Sequence, residues 1–240
     1  MIYLLNDHKT GYTVTNKLVN SLNCGVQVRT FFNFSKEYNT DDKYIVVIRN
    51  PKEVIISGYL YHKKCTEWWA TNRGINYYGG WLEKLTPEVL RENEENIKHA
   101  STFSAGCPYR VKLSSIPEKD GILMEMSCVA RLTLEGMYNL PHYGKKNVIT
   151  VKYEDLVYNH DKTVSDICEF VGVPPEPVLA KTLQDNILNL KENGIVLEHS
   201  TNTDLMYNRY EKYWNEEIER KFKETFPHDI MSKHGYKEMD

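Results

Sequence analysis

Four short apolar runs, interspersed with segments of helical spacing, constrain the fold more than any other feature of this sequence. They are Met1–Leu5, Val26–Phe32, Tyr44–Ile48 and Val148–Val151. Apolar runs of this length are typical of parallel strands that are buried on both faces of a sheet. The sequence therefore predicts an α/β fold with three layers, α/β/α, around a mostly parallel central sheet.

The length and the composition favour one globular domain over residues 1–240. Of the 240 residues, 41% are hydrophobic and 26% are charged, which argues against disorder. The net charge of −3 argues against a general nucleic-acid-binding protein. No stretch approaches the roughly 18 apolar residues of a transmembrane helix, and the N-terminus has no features of a removable leader. We therefore expect a cytoplasmic protein without a membrane segment.

The five cysteines and eight histidines do not suggest a disulfide framework or a metal site. The cysteines are widely spaced and contain no C-x-x-C pattern, which favours a reduced state. Cys168 falls on an apolar helical stripe, so we interpret it as a core residue and not as a nucleophile. The histidines lack metal-ligand spacing, and the sequence predicts no metal.

An arginine and a serine lie on either side of a predicted turn between a strand and a helix. Arg49 and Asn50 end the run Tyr44–Ile48, and Pro51 suits the first turn of a helix. Ser57 lies about two turns into that helix. An arginine at a strand end and a hydroxyl on the next helix can bind one phosphate from two sides. A surface arginine and an ordinary helical serine would explain the same residues, so this pattern alone leaves both interpretations open.

A second candidate phosphate site follows the first apolar run. A polar loop, Asn6–Thr13, precedes a segment of helical spacing that begins at Val14. Gly11 permits a close approach of the backbone to a ligand, and free N–H groups at a helix start favour an anion. Lys9 adds a positive charge. The G-x-x-x-x-G-K-[ST] pattern is missing from the sequence, and K-T-G alone is a weak signal because many loops contain it.

Taken in order, these segments resemble the PAPS-dependent sulfotransferases, whose donor is 3′-phosphoadenosine-5′-phosphosulfate (PAPS). The stretch HKTGYTV resembles the family's 5′-phosphosulfate loop, and IRNPKEVIISGY resembles its 3′-phosphate signature. Residues 148–174, VITVKYEDLVYNHDKTVSDICEFVGVP, are similar to the family's strand, Y-E-D-L turn and helix. The C-terminal FKETFPHDIMSKHGY resembles the family's usual ending.

The resemblance implies a P-loop-like nucleotide-binding fold. It also implies an in-line transfer of the sulfuryl group from PAPS to a hydroxyl or an amine of a small-molecule acceptor. PAP is the other product of this reaction. It implies that Lys9 stabilises the charge on the leaving phosphate, so that no metal is required. Arg49 and Ser57 would hold the 3′-phosphate, and Tyr153 matches a family tyrosine that approaches the adenine. The residues expected to contact the donor are Lys9, Thr10, Gly11, Tyr12, Thr13, Val14, Arg49, Ser57 and Tyr153.

The middle of the chain, residues 63–147, is expected to be a variable insertion that shapes the acceptor site. Aromatic residues and glycines cluster between Trp68 and Trp81, and they could wall an acceptor pocket or pin long loops. Thr86 with the following Pro-Glu predicts a helix start. The apolar spacing over Asp120–Leu140 predicts one long amphipathic helix.

The Y-E-D-L turn has a structural explanation. Glu154 and Asp155 are adjacent at a strand end and should point to opposite sides, so we interpret them as structural residues and not as an acid/base pair. Asp155 and Asn159 suit turn and cap positions. The spacing over Asp161–Val171 predicts a helix that ends at Gly172.

One departure from the family pattern concerns the general base. Many relatives carry a catalytic histidine on the strand before the arginine signature, but Val26–Asn33 contains none. The candidates are His62, His8 and Glu37. His62 ranks first because it lies beyond Ser57, where the acceptor should enter, and because a histidine pKa suits neutral pH. An ordinary helix-end histidine is the alternative.

A second departure concerns the basic, glycine-rich loop over the 3′-phosphate, which is not visible in the sequence. Arg209 and Lys212 stand in its place as candidate donor ligands. Both departures keep open a catalytically silent protein that only binds PAP or a related nucleotide. A small P-loop kinase is a third alternative, against which the missing Walker Lys-Ser/Thr pair argues. The acceptor is not identified, and a homodimer stays open as an assembly.

Overall fold

The structure is a computed structural model that describes residues 1–31, 38–66, 70, 108–184 and 209–237, with the backbone alone at 12, 13, 183 and 184. Three predictions fall outside these residues. The aromatic cluster between Trp68 and Trp81 and the helix start at Thr86 lie there, as does the candidate base Glu37. The expectation of one domain with a variable insertion stays a prediction.

Within the described ranges, four strands form one all-parallel sheet. They are β1 (Ile2–Asn6), β2 (Gln27–Thr30), β3 (Lys43–Ile48) and β4 (Val148–Lys152), in the order β2-β1-β3-β4. Each strand overlaps one of the four predicted runs, so the predicted parallel α/β sheet is confirmed. The central strands β1 and β3 are almost wholly buried, which explains why their sequences are apolar without alternation.

Helices occupy most of the remaining described chain. In chain order they are α1 (Tyr12–Leu22), α2 (Pro51–His62), α3 (Tyr109–Ser115), α4 (Glu118–Ser127), α5 (Val129–Tyr138), α6 (Tyr153–Tyr158), α7 (His160–Val171), α8 (Pro175–Gln184), α9 (Glu216–Thr225) and α10 (Ile230–Lys233). The helix predicted from Pro51 is confirmed, and so is the helix that ends before Gly172. No helix of the described residues is long and apolar enough to cross a membrane.

The chain divides into two compact units. The first unit comprises Met1–Val54, Thr133–Tyr207 and Asp229–Asp240, and it contains the sheet. Its core joins alternate strand residues such as Leu4 and Ile45 to helical residues of α1, α7 and α8. Cys168 is fully buried in this core, as predicted. The second unit comprises Ile55–Leu132 and Asn208–His228.

The prediction of one long helix over Asp120–Leu140 is wrong. Cys128 separates α4 from α5, with φ −112° and ψ −100°, which lies outside the helical region. Its N–H donates to the carbonyl of Glu125, three residues back, at 3.2 Å and so tightens the last turn of α4. The apolar spacing continues across the break, and for that reason periodicity could not detect it.

Candidate functional site

The loop between β1 and α1, residues 7–11, is closed by its own hydrogen bonds. The Thr10 hydroxyl accepts from the N–H of Asp7 and donates to the Asp7 carbonyl, both at 2.8 Å. The Thr10 N–H donates to the same carbonyl at 3.1 Å. Because Thr10 is fully buried, its hydroxyl shapes the loop. Its contact with a donor stays a prediction.

Lys9 and Gly11 adopt the positive φ angles that reverse the chain in this loop. Their φ angles are +63° and +112°, and the second is a conformation that side chains other than glycine rarely adopt. Gly11 caps α1, and the N–H of Thr15 donates to its carbonyl at 3.0 Å. The N–H groups of residues 12–14 therefore precede the first helical hydrogen bond and have no carbonyl partner within α1. They can bind an anion at this helix end.

Gly11 also makes room for Tyr153. A Cβ atom at position 11 would lie 2.4 Å from Cδ2 of the Tyr153 ring, which is far closer than a van der Waals contact. Tyr153 is the first residue of α6 and is 9% exposed. We expected Gly11 to permit a close approach to a ligand. The structure shows that it permits a close approach to Tyr153.

Two buried residues beneath the loop were not predicted from the sequence. The Asn6 side-chain amide donates to the Thr15 hydroxyl at 2.8 Å, and that hydroxyl donates to the carbonyl of Gly11 at 3.0 Å. Asn6 and Thr15 are both fully buried. They fix the start of α1 to the end of β1. The sequence contained one signal for Asn6, namely a polar residue at the end of an apolar strand. A polar side chain that is buried there needs a hydrogen-bond partner.

Arg49 contacts the loop and thereby brings together the two segments predicted to bind phosphates. Its Nη1 donates to the carbonyl of Lys9 at 3.0 Å. The guanidinium carbon lies 4.5 Å from the centre of the Tyr153 ring, and Nη2 lies 3.5 Å from Oε2 of Glu53. The Arg49 side chain is only 13% exposed. These contacts hold a permanent positive charge beside the loop at the carboxyl ends of β1 and β3.

Asn50 begins α2. Its side-chain oxygen accepts from the N–H of Lys52 at 3.0 Å, which is the usual bond of an N-cap residue. Its own N–H donates to Oε1 of Glu154 at 3.0 Å. The second carboxylate oxygen of Glu154 accepts from the Tyr236 hydroxyl at 2.8 Å. These bonds agree with the structural role predicted for Glu154, although Glu154 lies in the first turn of α6 and not at a strand end.

The remaining predicted donor ligands occupy varied environments. The Val14 side chain is half-buried, and those of Tyr12 and Thr13 lie outside the described atoms. Ser57 and Arg209 are buried in the second unit, whereas Lys212 is exposed there. Arg209 and Lys212 begin and end a short 3₁₀ turn. The roles of all these residues as donor ligands stay predictions.

The first-ranked base, His62, belongs to a buried polar cluster in the second unit. Its Nδ1 lies 2.8 Å from Oε2 of Glu125, and the Tyr109 hydroxyl donates to the same oxygen at 2.8 Å. His62 and Glu125 are fully buried. Gly58 makes room for this carboxylate, since a Cβ there would lie 2.3 Å from Oε1 of Glu125. The sequence indicated neither Glu125 nor Tyr109 as a partner, because both lie far from His62 along the chain.

His8, the second candidate base, is half-buried in the loop. Its backbone N–H donates to Oδ1 of Asp7 at 2.7 Å. Burial raises the pKa of the Asp7 carboxyl from 3.8 to about 6, and the bond from His8 opposes part of this shift. Among the described residues, no group of three histidine, cysteine or acidic side chains could hold a metal ion.

The raised pKa of Asp7 predicts a pH-dependent stability. Between its ordinary pKa of 3.8 and its folded pKa of about 6, the folded protein holds this proton more tightly than the unfolded chain. The stabilisation is fully present below the lower value and is lost as the pH rises through about 6. We expect Asp7→Asn, which keeps the oxygen that accepts from His8, to raise the free energy of unfolding at pH 7.5 by about 1–3 kcal/mol.

Urea titrations between pH 4 and pH 8 measure this effect. The variant should lose the decline in stability that the native protein shows between about pH 4 and pH 6. The exposed Asp41 provides the control, because Asp41→Asn should leave that decline unchanged. A constant loss of stability at every pH in the Asp7 variant would contradict the prediction.

Comparison with known proteins identifies the family. A family model described as "Sulfotransferase domain" matches residues 33–234, which is most of the chain and includes Arg49 and Tyr153. The protein belongs to the sulfotransferase family and is therefore an enzyme of the sulfotransferase class. The sequence resemblance is thus confirmed at the level of the family.

One similar solved structure is the crystal structure of mouse sulfotransferase SULT7A1 complexed with PAP. The TM-score is 0.51 at 13% sequence identity, and the match covers 97% of this chain and 82% of the mouse chain. At this identity, the similarity shows a shared fold. No curated protein matches the chain.

Proposed function

We propose that this protein transfers the sulfuryl group of PAPS to a hydroxyl or an amine of a small-molecule acceptor and releases PAP. The observation that carries the proposal is the contact between Arg49 and the carbonyl of Lys9. This contact joins the segment expected to bind the 3′-phosphate to the loop expected to bind the 5′-phosphosulfate. The two lie after neighbouring parallel strands, where α/β folds bind nucleotides. The mouse sulfotransferase of similar fold was crystallised with PAP, which supports the same nucleotide for this protein.

The residues around the loop fit a polyanionic donor. The N–H groups of residues 12–14 begin a helix, where they can bind phosphate or sulfate oxygens. The donor supplies an activated sulfuryl group, and negative charge develops on its phosphate as the bond breaks. We assign Lys9 to that charge, and Arg49 with Ser57 to the 3′-phosphate. Tyr153 is proposed as an adenine contact, and it also supports Gly11 and Arg49.

Product formation tests the proposal directly. Purified protein with PAPS and a panel of phenols, aliphatic alcohols and amines should release PAP and a sulfated product in equal amounts. The reaction should proceed in excess EDTA, because the assigned charges are side chains and N–H groups. Binding of PAP without turnover of any acceptor would favour the catalytically silent alternative. Phosphoryl transfer from ATP that requires magnesium would favour a kinase.

We propose His62 as the general base, with Glu125 as the residue that orients it. In this proposal a proton on Nδ1 of His62 donates to the Glu125 carboxylate, 2.8 Å away, and Nε2 takes the proton of the acceptor. Full burial also gives this pair a structural role. The pH–rate profile distinguishes the catalytic role from the structural one. His8 and Glu37 are the alternatives.

Comparison of His62→Ala, His8→Ala and Glu37→Ala in one assay identifies the base. The variant that lacks the true base should lose about 10²- to 10⁴-fold in kcat and the acidic limb of its pH–rate profile. A variant that loses only thermal stability, with the profile intact, has lost a structural residue. Near-normal rates in all three would mean that the acceptor is acidic or nucleophilic enough to need no protein base.

A further inference from the structure

The start of α2 departs from the usual capping arrangement in an informative way. In a capping box, the acidic residue three positions after the N-cap receives the N–H of the N-cap residue. Here Asn50 is the N-cap and Glu53 holds the third position, but the Asn50 N–H donates to Glu154 instead. The carboxylate of Glu53 lies beside Arg49. A carboxylate from beyond β4 therefore occupies the capping position, while Glu53 pairs with Arg49.

The bond to Glu154 acts on Arg49 through the peptide plane. The N–H of Asn50 and the carbonyl of Arg49 belong to the same planar peptide group. When Oε1 of Glu154 fixes this N–H at 3.0 Å, it also fixes the direction in which the backbone leaves Arg49. The guanidinium must point correctly within a fraction of an ångström to bind a phosphate with two parallel hydrogen bonds. Glu154 is thus placed to control the aim of Arg49.

Glu154 is in turn held by the C-terminal segment Gly235–Tyr236. The Tyr236 hydroxyl donates to Oε2 of Glu154 at 2.8 Å. The ammonium group of Lys152 donates to the carbonyl of Gly235 at 2.7 Å and lies 4.6 Å from the centre of the Tyr236 ring. The segment therefore contacts Lys152 and Glu154, the two neighbours of Tyr153. The Arg49 guanidinium lies over the ring of Tyr153.

The local backbone explains how the segment reaches Glu154. The N–H of Gly235 donates to the carbonyl of Ser232 at 2.9 Å, and the N–H of Tyr236 donates to that of Met231 at 3.0 Å. This pair of bonds is the Schellman motif, which needs a left-handed residue, and Gly235 has φ +69°. The helix end thus directs Tyr236 towards Glu154.

We propose that Glu154 and Tyr236 are positioning residues for recognition of the donor's 3′-phosphate. They act through the orientation of Arg49, so the C-terminal segment sets the affinity for the group that distinguishes PAP from adenosine 5′-monophosphate (AMP). This inference rests on the proposed function, because it assigns the 3′-phosphate to Arg49. It adds a source of donor specificity that lies about 190 residues along the chain from Arg49.

The test compares Tyr236 with Tyr138, a second tyrosine whose hydroxyl donates to a carboxylate. Tyr236→Phe removes the hydroxyl that bonds to Glu154. Tyr138→Phe removes a hydroxyl that donates to Asp229 at the same 2.8 Å, with a lysine ammonium likewise over the ring, but without contact to the Arg49 turn. Isothermal titration calorimetry of the full chain with PAP and with AMP gives four affinities to set against those of the native protein.

We expect Tyr236→Phe to weaken PAP binding by about 3- to 10-fold and AMP binding by less than about twofold. Tyr138→Phe should leave both affinities unchanged. Glu154→Gln keeps one acceptor oxygen and should lower the ratio of PAP affinity to AMP affinity in the same way. It provides the test if Tyr236→Phe does not fold. Equal losses for both nucleotides, or an unchanged ratio in both variants, would overturn the inference. A native protein that does not prefer PAP over AMP would instead contradict the proposed function.

Discussion

Replacing Arg49 with alanine is expected to weaken PAP binding by about 2–4 kcal/mol, which is about 30- to 1,000-fold. The substitution removes a permanent charge that is 87% buried beside the loop and is held there by Lys9, Glu53 and the Tyr153 ring. A charge in such a place has few water molecules to screen its attraction for a phosphate. Calorimetry with PAP measures the loss.

The nucleotide without a 3′-phosphate provides the control for this prediction. Arg49→Ala should weaken AMP binding far less than PAP binding. Equal losses would show that Arg49 does not touch the 3′-phosphate. Arg49→Lys should recover only part of the affinity, because lysine lacks the planar fork that binds two oxygens and that stacks on Tyr153.

Replacing Lys9 with alanine is expected to lower kcat by about 10²- to 10³-fold while changing donor affinity much less. The proposed role of its ammonium group is to stabilise charge that appears only as the donor bond breaks. The substitution is well suited to this test. Alanine also carries a Cβ, so the strain of φ +63° is similar, and the backbone carbonyl that binds Arg49 remains.

Steady-state kinetics and PAP binding separate the two possible roles of Lys9. Lys17, which lies on α1 and has no proposed part in the chemistry, offers a matched Lys17→Ala control with unchanged kcat. A change confined to KM in the Lys9 variant would mean that this residue only binds the ground-state phosphate. A loss of kcat with unaltered PAP affinity would support the proposed role.

The sheet could be predicted from the sequence because its physical cause is local. A parallel strand that is buried on both faces must be apolar throughout, and β1 and β3 are almost fully buried. The start of α2 was also predictable, since Pro51 suits the first helical position. The loop with Lys9 and Gly11 could be recognised by its order between strand and helix.

The partners within the site could not be predicted, because they depend on long-range contacts. Glu154 follows the last strand of the sheet, and its carboxylate meets Asn50 only when β3 and β4 pair. The buried pair His62 and Glu125 is likewise separated by 63 positions. Spacing rules describe neighbours on one element and carry no information about such pairs. The break at Cys128 could not be predicted either, because the local apolar spacing on both sides of it is that of one continuous helix.

The contact between Gly11 and Tyr153 has a consequence for the order in which the protein can assemble. Tyr153 immediately follows β4, whereas the loop follows β1, and more than 140 residues separate the two. The ring that lies against Gly11 arrives only when the last strand has joined β3. Contacts so distant in sequence form late, because a long segment must first be closed into a loop. A growing chain that already contains the Lys9 loop therefore lacks the support of Tyr153, and we expect the proposed nucleotide binding to require the pairing of β4 with β3.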